Sequence, residues 1–143
     1  SAYLVRDKFS NSYVLESDLY LYNQDLIRKY EYHSNFLGFK VDRTDDWCLE
    51  IKNGIITKEK VGGLDCYQMC GISYYDKETG KQMEKDIKEV FMSPGGKERY
   101  WEQVMLDIRK NNYKIYLREC KKEDIIEIDT FNELKAIDKT YDV

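Results

Sequence analysis

Apolar runs, and apolar positions that alternate with polar ones, predict the strands of a mixed α/β domain. The segment CYQMCGISYYD is apolar at nearly every position, which predicts a central strand covered on both faces. Asn53-Gly54 stands between two alternating segments, a pattern typical of a β-hairpin. The predicted strands lie at 12–16, 34–42, 66–76, 113–120 and 125–130, and the predicted hairpin covers 47–61.

Apolar residues at helical spacing predict the remaining regular segments. Residues 77–92 repeat apolar side chains three or four positions apart, which is typical of a helix with one buried face. Thr130 and Glu133 have the spacing of a capping box at the start of the last helix. The predicted helical segments are the end of a helix at 2–9, then 23–33, 77–92, 99–111 and 131–141; a loop at 93–98 holds the one proline.

Composition narrows the class of protein. The chain has 143 residues, is 42% hydrophobic and 35% charged, and fits one domain spanning 1–143. Its net charge of −4 argues against a nucleic-acid partner, because such domains carry a basic excess. The chain has no signal peptide and no run of eighteen apolar residues, so we expect a cytoplasmic protein with no membrane partner and with reduced thiols. The four cysteines and His33 lack the spacing of a zinc site.

Acidic residues follow two of the predicted strands. Asp18 comes just after 12–16, and Glu127 and Asp129 lie two apart near the end of 125–130. Ligands of open α/β sheets bind at the carboxyl ends of strands, and Mg²⁺ is held by one or two carboxylates together with substrate phosphates. If the two strands are neighbours, these acids form a candidate magnesium site. The alternative is that each acid only caps the turn or helix that follows it.

Aromatic residues accompany other acids. Trp47 follows two aspartates, and Tyr100 and Trp101 follow Glu98 across one arginine. Aromatic faces bind quaternary ammonium groups, and neighbouring carboxylates complete the charge balance. The alternative is that the tryptophans pack the core, one covering the hairpin and the other joining a helix to the sheet.

Five segments in order along the chain resemble the bacterial CTP:phosphocholine cytidylyltransferases, a family of the nucleotidyltransferase superfamily. They are NSYVLESDLYL, TDDWCLEI, CGISYYD, RYWEQVM and IEIDTFNELKAID. The last segment is similar to versions of the family in which a choline kinase-like domain follows. The resemblance implies a three-layer, Rossmann-like α/β fold with a mixed central sheet.

The resemblance also implies a reaction and roles for individual residues. Phosphocholine would attack the α-phosphorus of CTP, giving CDP-choline and pyrophosphate. Asp18 and Asp129 match the catalytic carboxylates that hold Mg²⁺. Glu98 stands where the family has an aspartate, so it departs from the pattern. The residues matching the choline pocket are Trp47, Glu98, Tyr100, Trp101 and Glu127.

One motif of the family has no match. The glycine-rich loop L-x-x-G-x-G-x-R, which holds the nucleotide triphosphate, does not occur; Gly62-Gly63 and Gly95-Gly96 lack the arginine and the preceding strand. We therefore expect the C-terminal part of the fold, inactive alone and with an exposed sheet edge that favours homo-oligomers. Three alternatives stay open: part of a sugar-1-phosphate nucleotidyltransferase, a non-catalytic module that binds choline-bearing ligands, and an oligomerisation domain.

Overall fold

The computed structural model describes residues 1–141, and its elements follow the predicted alternation of strands and helices. The strands are β1 (Ser12–Leu15), β2 (Leu19–Leu21), β3 (Asn35–Lys52), β4 (Ile55–Tyr75), β5 (Tyr116–Glu119) and β6 (Ile125–Glu127). The helices are α1 (Lys77–Met92), α2 (Trp101–Gln103), its π-helical continuation (Val104–Ile108) and α3 (Phe131–Ile137). Short 3-10 turns cover Ala2–Lys8, Gln24–Leu26, Gly96–Glu98, Lys110–Asn112, Lys122–Asp124 and Lys139–Tyr141.

The main sheet has the order β1-β4-β3-β5 and is mixed, as predicted. β1 and β3 flank β4 in antiparallel pairs, whereas β3 and β5 are parallel. Neighbouring residues of β3 point to opposite faces, so fully buried Phe36 and Leu37 belong to two separate core clusters. Both faces of the sheet are therefore covered, and the predicted central position of 66–76 is confirmed. β2 and β6 form a separate two-stranded sheet.

The hairpin forms where the sequence predicts it. Asn53 and Gly54 have φ angles of 54° and 77°, the left-handed pair that a tight two-residue turn between twisted strands requires. The turn also lies against β5, since the Leu117 amide donates to the Gly54 carbonyl (2.9 Å). The predicted strand at 34–42 and the first arm of the hairpin run together as β3, with a register shift between Thr44 and Trp47.

One predicted helix is wrong in extent, and another forms where it is predicted but changes helix type along its length. Of 23–33, only Gln24–Leu26 forms a helical turn, because tertiary contacts compete with helix formation. The Tyr13 hydroxyl donates to Glu31 (2.5 Å), and the Arg118 guanidinium pairs with Glu31 and donates to the Leu26 carbonyl. The helix predicted over 99–111 is confirmed in position, but it is α-helical only at Trp101–Gln103, then π-helical over Val104–Ile108 (the π-turn), and ends in a 3-10 turn at Lys110–Asn112.

Other local predictions hold. The α1 helix covers 77–92, and its apolar side packs Met83, Ile87 and Val90 into the larger core cluster. The capping box of α3 is present, with the Glu133 amide donating to Thr130 Oγ1 (3.2 Å) and the Thr130 amide donating to Glu133 Oε2 (2.8 Å). Within residues 1–141, no helix combines the length and the apolar character needed to cross a lipid bilayer.

Candidate functional site

A cavity of about 830 Å³ opens between the main sheet and the small β2–β6 sheet. Its wall combines carboxylates, aromatic rings and a few aliphatic side chains. The lining residues are Glu16, Asp18, Leu19, Tyr22, Phe39, Asp46, Trp47, Gln68, Met69, Cys70, Gly71, Tyr100, Glu102, Lys122, Glu123, Ile125, Ile126 and Glu127.

The small sheet brings the two acidic strand ends together. In the β2–β6 ladder Leu19 pairs with Glu127, and the Ile128 amide donates to the Asp18 carbonyl (2.9 Å). Oxygens of Glu16, Asp18 and Glu127 then lie within 4.8 Å of one another. Three carboxylates at this spacing suit one hard cation with oxygen ligands, such as Mg²⁺.

Glu16 was not among the residues predicted from the sequence. Its amide donates to the Gly71 carbonyl (3.0 Å), and its side chain lies directly over the Cα of Gly71. Partial burial raises the pKa of the Glu16 carboxyl, and the charges of Glu102 and Asp18 raise it further. The only sequence signal for Glu16 is its position two residues before Asp18, at the end of the strand predicted at 12–16.

Asp129 lies just beyond the end of β6 and is outside the three-carboxylate cluster found among residues 1–141. Its main-chain amide donates to Glu133 Oε2 (2.9 Å) at the start of α3. Its charge still reaches the site: burial raises the pKa of Glu127, and Asp129 is the largest charged contributor to that rise. Asp129 is thus an electrostatic neighbour of the cluster in this arrangement.

Two of the predicted aromatic residues form one wall of the cavity. The rings of Trp47 and Tyr100 meet edge to face, with centroids 6.0 Å apart and an interplanar angle of 79°. Trp101 instead packs among Phe9, Phe36 and Tyr75, at centroid distances of 5.8, 6.2 and 5.9 Å. Its position fits the core-packing alternative.

Glu98 ends the 3-10 turn before α2 and is not among the described residues that line the cavity. A different acid of the same segment takes a place in the wall. Glu102, in the first turn of α2, is 8% exposed and lines the cavity beside Tyr100. Sequence reasoning missed Glu102, because an acid in the first turn of a helix is ordinarily solvent-exposed and interacts with the helix dipole.

The carboxylates of the cavity differ in whether other groups of the protein donate hydrogen bonds to them. Asp46 accepts from the Trp47 amide at Oδ1 (2.7 Å) and from Gln68 Nε2 at Oδ2 (3.1 Å). Among the described residues, none donates to the carboxylates of Glu16, Asp18 or Glu127, or pairs with them as a cation. Asp46 is therefore held in place by its neighbours, while the three clustered acids are available to a ligand.

The cavity wall carries far more negative than positive charge. Among the described residues, six carboxyl groups and one lysine line it; the carboxyl groups belong to Glu16, Asp18, Asp46, Glu102, Glu123 and Glu127. Clustered like charges in a partly enclosed cleft focus a negative potential that attracts cations. The geometry therefore suits a metal ion at one end of the cavity and an organic cation against the aromatic wall.

Two curated relatives match most of this chain in sequence. Choline-phosphate cytidylyltransferase from Streptococcus pneumoniae is 25% identical over 144 residues, covering 97% of this chain and 61% of the relative. The 2-aminoethylphosphonate cytidylyltransferase from Lancefieldella rimae is 24% identical over 136 residues, covering 91% of this chain and 53% of the relative. No family model matches the chain.

A solved structure shares the fold. The structure of CTP:phosphocholine cytidylyltransferase from Streptococcus pneumoniae superposes with a TM-score of 0.82 at 23% identity, covering 97% of this chain and 61% of that chain. The chain thus has the nucleotidyltransferase fold. It is a homologue of proteins named cytidylyltransferases, which confirms the resemblance drawn from its motifs, and it spans about three fifths or less of the length of these relatives.

Proposed function

We propose that this chain forms the metal and acceptor-substrate half of a cytidylyltransferase that joins CTP and phosphocholine into CDP-choline and pyrophosphate. The observation that carries the proposal is the cavity itself. Its lining includes both the Trp47 and Tyr100 rings and three clustered carboxylates to which no described residue donates a hydrogen bond. Such a wall suits a ligand with a metal-binding phosphate at one end and a methylated cation at the other.

The acids at the β2–β6 junction suit Mg²⁺. Asp18, with Glu16 and Glu127, would hold the ion, and Asp129 would add negative charge from behind Glu127. When bound, Mg²⁺ neutralises charge on phosphate oxygens and thereby favours in-line attack. The main chain of Asp18 is held at this junction, because the Ile128 amide donates to the Asp18 carbonyl.

The aromatic wall would orient the acceptor. A trimethylammonium group has no N–H to donate, so ring faces and unpaired carboxylates must recognise it. Asp46 fixes the wall, because the hydrogen bond from the Trp47 amide to Asp46 Oδ1 orients the chain at Trp47. Substrate positioning of this kind lowers the barrier by holding the attacking phosphate oxygen near the α-phosphorus.

A second acceptor, 2-aminoethylphosphonate, is favoured by the name of one relative. Its primary ammonium donates hydrogen bonds, so carboxylates alone can bind it, and the aromatic wall is then less important. A sugar 1-phosphate suits the cavity less, since a sugar carries no cation to balance the six carboxyl groups that line it among the described residues.

The deciding experiment uses the complete gene product with CTP and Mg²⁺. Phosphocholine, 2-aminoethylphosphonate and glucose 1-phosphate are supplied separately and together, and pyrophosphate release and the mass of the nucleotide product are measured. We expect CDP-choline as the preferred product, with kcat/KM at least about ten-fold above that for the primary amine, in line with one cation–π contact. Preference for glucose 1-phosphate, or no turnover with choline binding retained, would overturn the proposal.

A further inference from the structure

Two carboxyl groups on facing elements, Glu102 and Glu59, are not part of the metal cluster. We infer that they act as one proton-loaded counter-charge for the substrate's ammonium group: Glu102 faces the cation in the cavity, and Glu59, outside the cavity wall, releases a proton when the cation binds. The inference rests on the proposed function for the class of its ligand. It goes beyond that function in two ways: it includes Glu59, which lies outside the cavity wall, and it predicts the release of a proton that can be measured.

Glu102 has the position that this role requires. It is more than nine-tenths buried, lines the cavity, and receives no hydrogen bond or ion pair to its carboxylate from another described residue. The two residues that precede it in the chain are both packed: Tyr100 belongs to the aromatic wall, and Trp101 is packed into the core. A buried carboxylate without a protein partner is costly unless a ligand supplies the opposite charge.

Glu59 lies on β4, which packs against the π-helical continuation of α2. Its cross-strand partner is fully buried Leu49, which packs in the same cluster as Val104 and Leu106 of the π-turn, so the Glu59 side chain points toward that core. Its Oε2 atom is buried and has no hydrogen-bond partner. An acid in such surroundings holds its proton more readily than it carries a charge.

The groups facing Glu59 are all acidic or neutral. Glu102 from α2 and Asp107 from the π-turn both raise the pKa of Glu59, after burial as the largest cause, and the value reaches about 8. The Tyr75 phenol, buried on β4 itself, is the other titratable group that interacts with it. Among the described residues, no lysine or arginine forms an ion pair with Glu59 or Glu102.

The balance of charges in the site predicts when Glu59 releases its proton. At neutral pH, Glu59 keeps its proton, because a second charge beside Glu102 in a poorly solvated site is unfavourable. A cation in the cavity reduces that repulsion and lowers the pKa of Glu59. The carboxyl group then passes its proton to a buffer base in solution, and the charge that it gains strengthens cation binding.

Isothermal titration calorimetry tests the step directly on the complete gene product. Choline chloride is the probe, because its charge does not change with pH, and the uncharged 3,3-dimethyl-1-butanol is its shape-matched control. Titrations at pH 7.5 in two buffers of different ionisation enthalpy give the number of protons released. We expect roughly 0.3 to 0.8 proton per choline bound, and none with the alcohol.

Substitutions at Glu59 and Glu102 test which residue releases the proton and which supplies the negative charge that binds choline. Glu59→Gln should abolish proton release while choline still binds, and Glu102→Gln should weaken choline binding roughly ten-fold or more. Glu84→Gln makes the same charge change on the exposed side of α1 and should alter neither quantity. Glu102→Asp keeps the negative charge and should bind choline more tightly than Glu102→Gln does. If circular dichroism shows that Glu102→Gln folds poorly, Glu102→Asp is compared with the wild type instead.

The possible failures are distinguishable. Choline binding without proton release by the wild type, or release that persists in Glu59→Gln, would overturn the inference and leave the proposed function standing. Unchanged choline affinity in a folded Glu102→Gln variant would remove Glu102 from the site. Failure of choline and phosphocholine to bind the folded wild type would overturn both the inference and the proposed function.

Discussion

The Glu16 side chain occupies the space that a Cβ on Gly71 would take. The position of one residue of the candidate metal cluster therefore depends on a glycine of the central strand, β4. Gly71 has a φ of +62°, and a Cβ built there would lie 2.7 Å from Glu16 Cδ. The glycine is therefore needed twice, for its left-handed backbone and for the room it leaves to the carboxylate.

Gly71→Ala should destabilise the fold and displace Glu16. Gly95→Ala is the matched control, because Gly95 also has a positive φ (+74°) but has no atom within 4 Å of a built Cβ. We expect Gly95→Ala to cost about 1 kcal/mol from the backbone conformation alone, and Gly71→Ala to cost up to about 1 kcal/mol more, because the end of the flexible Glu16 side chain must move aside. Urea unfolding of both variants measures the difference. Adding Glu16→Ala to Gly71→Ala should recover most of the extra cost; equal losses in the two single variants would show that Glu16 is free to move aside.

Asp18→Asn and Asp129→Asn in the complete gene product separate a direct metal ligand from an electrostatic neighbour. Asp18 lies in the carboxylate cluster, whereas Asp129 lies beyond it. We expect Asp18→Asn to lower turnover roughly 100-fold or more, with a raised Mg²⁺ requirement, and Asp129→Asn to lower it less. Turnover over a Mg²⁺ titration, with thermal unfolding as the stability control, gives the comparison. Equal, small losses in both would favour the capping alternative for these acids.

Sequence patterns predicted the parts of this molecule that local chemistry determines. The Asn53-Gly54 turn, the α1 helix and the Thr130–Glu133 capping box each depend on a few neighbouring residues, and each forms as predicted. The helix predicted over 23–33 does not form, because Arg118, far along the chain, binds Glu31 and the Leu26 carbonyl. No local pattern contains that information.

The candidate site also contains residues that the sequence predicts and residues that only the tertiary structure reveals. Asp18 and Trp47 could be selected from the sequence, because acids and aromatics next to strand ends are visible in one dimension. Glu16 and Glu102 could not be selected, since the first depends on the positive φ of Gly71 and the second on how far α2 is buried. Separating Tyr100 from Trp101 likewise required the tertiary structure, because adjacent residues at a helix start point in different directions.

The stability of the chain should depend on pH through Glu59. Its pKa is raised from 4.5 to about 8 in the folded state, so the folded chain binds more protons than the unfolded chain between these values. The free energy of unfolding therefore decreases as pH rises through this window, and the loss is complete above the folded pKa. Glu59→Gln removes this contribution, so the variant should gain stability relative to wild type between pH 5 and pH 9. Urea unfolding at pH 5, 7 and 9 tests the trend against Glu84→Gln. A difference between wild type and Glu59→Gln that does not change with pH would show that Glu59 titrates normally.

The two tryptophans should give opposite results when each is changed to alanine. Trp47 lines the cavity and meets Tyr100 edge to face, whereas Trp101 contacts Phe9, Phe36 and Tyr75 in the core. In the complete gene product, Trp47→Ala should raise KM for phosphocholine roughly ten-fold or more, because a desolvated cation–π contact is worth about 2 kcal/mol. It should leave KM for CTP nearly unchanged, and Trp47→Phe should recover part of the loss.

Trp101→Ala should instead lower the free energy of unfolding by roughly 3 kcal/mol, as expected for truncating a large aromatic side chain in a packed core. At a temperature where it stays folded, its effect on KM should be similar for both substrates. The measurement that decides is the ratio of the two KM changes for each variant, taken with its unfolding free energy. A ratio near one for Trp47→Ala would place Trp47 outside the acceptor site, and it would remove the main reason to prefer choline over a primary amine. A large ratio for Trp101→Ala would mean that the core around Trp101 opens to the substrate, contrary to the packing against Phe36 and Tyr75.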